Sequence, residues 1–406
     1  MGIRLLLLAS LFLSVALSAS ETDAMKLILS GSYSKVKKGA TAKDKAAWAF
    51  AQFHLRPGTE AAQAAQDAHK ARLPLGTFVL LLCHRNGVGV RRNESTMHRL
   101  NFELRKLLEK KKEPTPLEEY ILSQLMEGDA DGIVRVDDPD QSMAEKRRLR
   151  TLRWDRLLGS AKRGFAQSMN EVGEAYQSGD DAAKAYQWYE RAAKSGLAAG
   201  LKNQGFFLSQ GRGCNKDPVR GLEVTKQAAE GRDVYAAINM AVFFDRGIGC
   251  EANKTEARKW IECAVKTGSY EGYFEKGLSL LEGNYGYTVD RKKGLILLQR
   301  AADTGSSAAL YRLANWYARG IGLTKNGKKA VAFAEAAFVQ GEEKAARILA
   351  HIYSEGLGEV KPDAEREKYW QGRSNASLAY VVGLDDKDHP MVKYLKTVDP
   401  FTLRVE

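Results

Sequence analysis

Metal-binding patterns are missing from this chain. Its four cysteines never form a CxxC pair and its six histidines never form an HExxH, so the ligand spacings of structural and catalytic zinc are absent. No GxSxG elbow occurs, which removes the usual nucleophile turn of an α/β-hydrolase. None of the GxG phrases leads into a GK[ST], so a phosphate cradle of the P-loop type is not expected. The acidic DDPD (Asp137–Asp140) lacks the glycine and closing glutamate of a calcium loop, and DDKDHP (Asp385–Pro390) reads as a hydrated loop. Catalytic residues, metal ligands and cofactors are therefore not expected, and a non-enzyme is the working expectation.

Long apolar runs are also missing, except at the start. Arg4 precedes the apolar-rich run Leu5–Leu13, which relaxes into SVALSAS. The run is shorter than the roughly 20 residues that span a bilayer. With Ala16 and Ser18 at −3 and −1 it reads as a signal peptide cleaved after residue 18. The expectation is an exported chain, periplasmic or secreted, with no membrane span once the signal is removed. Export makes disulfides possible. Cys214 and Cys250 each follow a GxG in successive phrases and could face one another; two separate buried thiols is the other reading.

Acidic residues fall short of basic ones, 50 against 62, leaving a formal net charge of +12. The excess concentrates in RKLLEKKK (Arg105–Lys112) and in Glu145–Gly164. Outside the cytoplasm such runs suit an anionic envelope polymer or an acidic protein face; more often they form only the solvated side of a helix. Nucleic acid is not expected as a partner of an exported chain.

What is present is a repeat. The phrases ending at Gly213, Gly249, Gly286, Gly322 and Gly358 are 36 or 37 residues apart, a period typical of stacked supersecondary units. Three residues before each first glycine stand Leu208, Phe244, Leu280, Tyr317 and Tyr353; three further back stand Gly205, Ala241, Gly277, Ala314 and Ala350. Beyond the glycines come Val224, Trp260, Leu297, Phe333 and Tyr369, then Ala228, Ala264, Ala301 and Ala337, with Gly231, Gly268, Gly305 and Gly341 closing four copies. Offsets of three, four and seven are helical. The spacing predicts helix A, a glycine turn, helix B and a glycine stop, with the tiny residue letting helix B approach. One pair cannot bury its own apolar face, whereas a stack can. The expected fold is all-α, a right-handed α-solenoid of antiparallel helix pairs.

These residues carry a family resemblance. The order small residue, Tyr, GxG, aromatic, Ala-Ala and Gly resembles the Sel-1-like repeat, a relative of the tetratricopeptide repeat. AAKAYQWYERAAKSG (Ala182–Gly196) and AALYRLANWYARGIG (Ala308–Gly322) are close matches. On this reading the chain divides into a signal peptide (1–18), a linker (19–40), divergent helical repeats (41–164), six regular repeats (165–376) and a cap or tail (377–406).

The resemblance implies an interaction scaffold for protein partners. Some exported members are associated with penicillins or cell-wall material, but they carry a cysteine pair in each repeat, and this chain does not. The alternative function, resting on the basic N-terminal half, is a binder or modifier of an anionic envelope glycan or cell-wall ligand. In the related tetratricopeptide superhelix, helix A positions two, five, nine and twelve line the inner surface, with the tiny residue counted as eight. That register selects Lys202 and Phe206 with Ala199 and Ser209, then Tyr235, Ile238 and Val242 with Asp245. It continues with Phe274 and Leu278 beside Glu271 and Leu281, and with Tyr311 and Asn315 beside Ala308 and Ala318. Flanking copies give polar rims, Gln167, Asn170, Glu174 and Gln177 on one side, Lys344, Arg347, His351 and Ser354 on the other. An apolar floor for a partner is one outcome; tight stacking that turns these side chains into core is the other.

Overall fold

The structure, a computed structural model, describes residues 23–374 apart from 32, 40, 56–57, 87–88, 91–92, 133–138 and 322. The expected signal peptide and the tail 377–406 lie outside the described residues. Among those residues the only strand-like pairing is an isolated bridge, Leu357 to Val360. The chain is an all-α solenoid of helix pairs.

The first half contains α1 (Asp23–Leu29), α2 (Ala42–Leu55), α3 (Thr59–Lys70), α4 (Pro74–Asn86), α5 (Glu94–Leu108), α6 (Pro116–Gly132) and α7 (Pro139–Lys162). The regular repeats follow as α8 (Ala166–Ser178), α9 (Ala182–Lys194), α10 (Ala198–Gln210), α11 (Pro218–Glu230), α12 (Val234–Arg246) and α13 (Lys254–Lys266). They continue as α14 (Tyr270–Glu282), α15 (Arg291–Asp303), α16 (Ser307–Arg319), α17 (Gly327–Val339), α18 (Ala345–Glu355) and α19 (Ala364–Ser374). Two compact units result: one runs to Phe243 and includes Gly247–Glu251, the other takes Phe244–Arg246 and the chain from Ala252. The stretch 19–40, expected as a linker, instead holds α1 and a 3-10 turn at Tyr33–Lys35. Ile28, Tyr33 and Val36 are buried in the core of the first unit, which gives that stretch the apolar burial a linker lacks.

Each A–B turn is fastened by one residue acting twice. The main-chain N–H of Asp217 donates to the Leu208 carbonyl at 2.9 Å, while its carboxylate accepts from the N–H of Arg220 at 3.0 Å and caps α11. Asn253, Asp290 and Asn326 repeat the arrangement, bonding back to Phe244, Leu280 and Tyr317 and capping α13, α15 and α17. The large residue identified by spacing thus supplies the carbonyl that anchors the next helix. An Asp or Asn cap satisfies N–H groups that a helix start leaves open.

The glycines of the turn have separate tasks. Gly211 ends α10 in the left-handed conformation, φ 70°, which costs an L-residue energy and glycine none. Gly213, φ 64°, has a further reason: a Cβ there would overlap the Ala182 carbonyl at the start of α9. The second glycine is therefore a contact with the preceding repeat. The closing glycine is not always the left-handed residue. Gly231 has φ −72° and Arg232 takes φ 69° instead.

The tiny helix A residue also meets backbone. A Cβ on Gly205 would overlap Thr225 Oγ1, and one on Gly277 would lie 3.1 Å from the Gly294 carbonyl oxygen. The partner it faces lies one place after the spacing-selected residue of helix B. Thr225, Ile261 and Leu298 are fully buried, while Val224, Trp260 and Leu297 are half-buried. Ala228, Ala264, Ala301 and Ala337 are fully buried, as their spacing predicts. The 37-residue copy places its extra residue in the turn. There Tyr285 adopts φ 51° and its hydroxyl donates to Glu275 at 2.9 Å.

Two substitutions separate turn strain from inter-repeat contact. Both Gly213→Ala and Gly320→Ala put an L-residue into the left-handed region, but a Cβ at Gly320 meets only the flexible stem of Lys325 at 2.9 Å. Gly213→Ala is expected to cost about 1–3 kcal/mol more, as an overpacked contact with backbone does. Thermal melts of both variants against the parent check this; equal shifts would show that the second glycine serves only its own turn.

Candidate functional site

None of the nine residues selected for the partner face is fully buried. In the first unit, Phe206 of α10 is 39% exposed and Tyr235 of α12 is 48% exposed. Lys202 Nζ lies over the Tyr235 ring, 5.3 Å from its centroid, so two helices contribute to one aromatic–cation contact. Ile238 and Val242 are half-buried on α12. Phe207 makes the contrast: it is buried and meets Tyr189 edge-on at 5.1 Å. Adjacent phenylalanines thus divide into one packing residue and one surface residue.

In the second unit, Phe274, Leu278 and Tyr311 are half-buried and pack sideways against the core, as do Leu281 and Ala318. Asn315 is half-buried among them on α16. These side chains contribute to packing and keep part of their surface accessible. The rim residues of α18, Lys344, Arg347, His351 and Ser354, are exposed.

The register fails at two polar positions. Ser209, selected at position twelve, is buried with its hydroxyl bonded to the Phe206 carbonyl at 2.7 Å; it lies against Gly221 of α11, where a Cβ would meet its amide nitrogen at 3.1 Å. Asn170, selected for the rim, is also buried. Its carbonyl oxygen accepts from Asn203 of the next repeat at 2.9 Å, and its amide donates to Glu174 at 2.9 Å. This amide chain links successive A helices. Sequence reasoning missed it, although Asn at these two positions is the visible signal.

One half-buried carboxylate joins the irregular helices to the first regular repeat. Glu171 of α8 accepts from the Tyr120 hydroxyl at 2.9 Å, from Gln124 at 2.7 Å and from Gln167 at 3.3 Å. Tyr33 closes the group with a 3.3 Å bond to Gln167. Burial pushes the Glu171 carboxyl up despite these donors, and burial with the nearby carboxylate raises Tyr120 as well. A raised carboxyl can mark catalysis, but here three donors occupy both oxygens and the arrangement acts as a tie between elements.

The basic runs are partly consumed by folding. Arg156 pairs with Glu119 of α6 at 2.8 Å and Arg163 donates to the Pro114 carbonyl at 2.7 Å. Arg147, Arg148 and Arg150 on the first half of α7 are exposed. The cysteines are all unpaired, with Cys214 Sγ 3.6 Å from the Phe207 carbonyl oxygen and Cys250 Sγ 3.8 Å from that of Phe243. Each thiol turns back to its own A helix, so a bridge between successive turns is not formed. Among the described residues no group of His, Cys, Asp or Glu could hold a metal ion, and no helix is long and apolar enough to cross a membrane.

The Sel1 repeat family matches residues 166–197, 234–269, 273–306, 307–341 and 343–366. The helix pair α10–α11 lies between the first two matches and carries the same turn. Among solved structures, a Sel1 repeat protein from Oxalobacter formigenes is 28% identical with a TM-score of 0.43, covering 52% of this chain and 86% of its own length. The protein c5321 of uropathogenic Escherichia coli, described as a protective antigen displaying an SLR fold, is 20% identical with a TM-score of 0.39. That match covers 77% of this chain and 63% of c5321. Immunity protein Pa5087 from Pseudomonas aeruginosa is 18% identical with a TM-score of 0.39, covering 52% of this chain and 80% of its own.

The division between Phe206 and Phe207 is open to test. Phe207→Ala is expected to lose about 3–5 kcal/mol, as large-to-small core changes do, whereas Phe206→Ala should stay within about 1 kcal/mol of the parent. Denaturant melts of the two variants give the comparison, and similar losses would make Phe206 a packing residue.

Proposed function

This chain is a Sel1-repeat protein, and from that premise we propose that it is an exported scaffold that holds protein partners against the exposed faces of its A helices. Sel1-repeat proteins are generally protein-interaction scaffolds and typically non-catalytic. The observation that carries the reading to particular residues is the surface pair Phe206 and Tyr235, with Lys202 over the Tyr235 ring. Aromatic side chains half in water bring large apolar area with little loss of rotamer freedom, the character of interface anchors. In the second unit, Phe274, Leu278, Tyr311 and Asn315 are the corresponding contact residues. Export rests on the Arg4 to Ser18 pattern.

A second reading, the anionic envelope polymer, is favoured by the exposed arginines of α7. Salt discriminates the two. Binding through Arg147, Arg148 and Arg150 should weaken steeply as ionic strength rises, because exposed charges are screened within about 10 Å at 0.1 M salt. Binding through apolar contact should change little.

The experiment is capture of partners from the producing cell with the mature chain, parent beside Phe206→Ala/Tyr235→Ala. Partner recovery is expected to fall tenfold or more, since truncating interface anchors commonly costs about 2 kcal/mol or more, with the melting temperature little changed. Undiminished capture would remove these residues from the interface. Mass determination of the chain recovered outside the cytoplasm should begin at Ala19; an uncleaved chain retained in the cytoplasm overturns the export reading.

A further inference from the structure

α17 is buried at every position from Ala330 to Phe338, and one of those positions is Glu335, 1% exposed. Neither carboxylate oxygen has a hydrogen-bond partner among the described residues. Every other residue in that stretch is Ala, Val or Phe, so the acid stands in an apolar helix without a donor. An unpaired charge in such a place is far costlier than a neutral carboxylic acid.

The elements packed around it offer little compensation. From α19, Arg366 acts on Glu335 as a charge, but its guanidinium donates to the Tyr353 hydroxyl of α18 at 2.9 Å and pairs with Asp363 at 3.3 Å. Tyr369, also on α19, feels the same carboxylate, and Arg373 lies over the Tyr369 ring. From α16 comes Tyr317, stacked on Phe333, with Lys329 of α17 over its ring. Lys328 of α17 pairs with Glu359. Trp370 of α19 meets Phe338 edge-on at 5.0 Å, and its indole N–H has no partner among the described residues. Trp370 is also the single fully buried residue of α19; the helix is tied to α18 through Asp363 and Arg366, both bonded to Tyr353, and its tryptophan reaches Phe338 beside the unsatisfied acid.

We propose that Glu335 is a proton-operated latch for the helix pair α18–α19, which stays docked on α17 while the carboxyl is neutral and loosens when it ionises. Ionisation demands donors, and opening the pair admits water to supply them. Burial pushes the Glu335 carboxyl up to about 7, with Arg366 pulling the other way. The folded chain therefore keeps a proton that an opened or unfolded chain gives up from about 4.5 upward. The stability this group lends is complete below about pH 4.5 and is lost as pH rises through about 7.

Hydrogen exchange on the full chain, corrected for intrinsic rates, tests the latch at residues 364–374. Protection of α19 in the parent should fall about tenfold between about pH 6 and about pH 8, as titration of one group near pH 7 requires. Glu335→Gln, neutral at every pH and nearly isosteric, should keep constant protection over that range; Glu335→Met serves the same purpose if the amide disturbs folding. Loss confined to α18 and α19 in the parent and absent from the neutral variants supports the proposal. It is overturned if parent protection is flat with pH, if a neutral variant shows the same slope, or if the loss is uniform over all helices.

Discussion

The regular half of the molecule depends on the fastening of each turn by an Asp or Asn that faces both of its helices. Its main-chain N–H closes on the carbonyl of a large helix A residue, and its side chain starts helix B, as at Asp217 and Asn326. The cap fixes where helix B begins, and the anchoring carbonyl fixes its distance from helix A. Each of the helices α8–α17 has 13 residues, so within each unit every pair presents its faces at the same height. The second turn glycine passes that geometry to the preceding repeat, because only hydrogen fits against the Ala182 and Pro218 carbonyls. Stability in such a stack is approximately the sum of pairs and their interfaces, and here those interfaces combine side-chain packing, as between Tyr189 and Phe207, with close backbone approach at Gly213 and Gly249.

This constraint explains the surface. With the tiny residue given to helix B and the following large one to the turn, a third stripe of helix A faces away from both. Phe206 and Tyr235 occupy that stripe in the first unit, Phe274, Leu278 and Tyr311 in the second. They are partly buried, those of the second unit against its core, and each keeps part of its surface exposed. A side chain that is partly packed has already lost some of its conformational freedom, so a partner contacting it pays less ordering entropy.

Much of the fold is legible in the chain itself, since a period of 36 or 37 residues with tiny and large residues in fixed places leaves few alternatives. The regular helix pairs, the left-handed first glycine and the buried alanines of helix B all follow from it. The packing register of helix B follows only in part: spacing selects Phe333, which is fully buried, but also Trp260 and Leu297, whereas Ile261 and Leu298 are the buried residues there. Both members of each couple are large or apolar, so composition cannot say which faces inward; the choice is made by where the cap starts the helix. The candidate face is legible only as a stripe. Ser209 and Asn170 share its register yet turn inward: the Ser209 hydroxyl is satisfied by the Phe206 carbonyl of its own helix, and the Asn170 amide by Asn203 of the next A helix. The stretch 19–40 was obscured for another reason, since three short apolar contacts at Ile28, Tyr33 and Val36 carry no periodic signature.

The departures from the repeat are informative in their own right. Tyr285 takes a backbone conformation suited to glycine and repays it with a bond to Glu275, whose carboxyl burial pushes up. Glu171 sits in the stack with every donor it needs, and Glu335 with none. An α-solenoid tolerates such costs because each contact is shared with nearest neighbours alone, so a strained or unsatisfied group weakens one interface and leaves the others intact. The satisfied acid lies where the irregular helices join the regular stack, and the unsatisfied one lies beside α19, which buries one residue fully, Trp370. A polar group with full partners makes a joint rigid, whereas one without partners leaves the joint sensitive to its surroundings. The same residue type thus gives the two places opposite mechanical character.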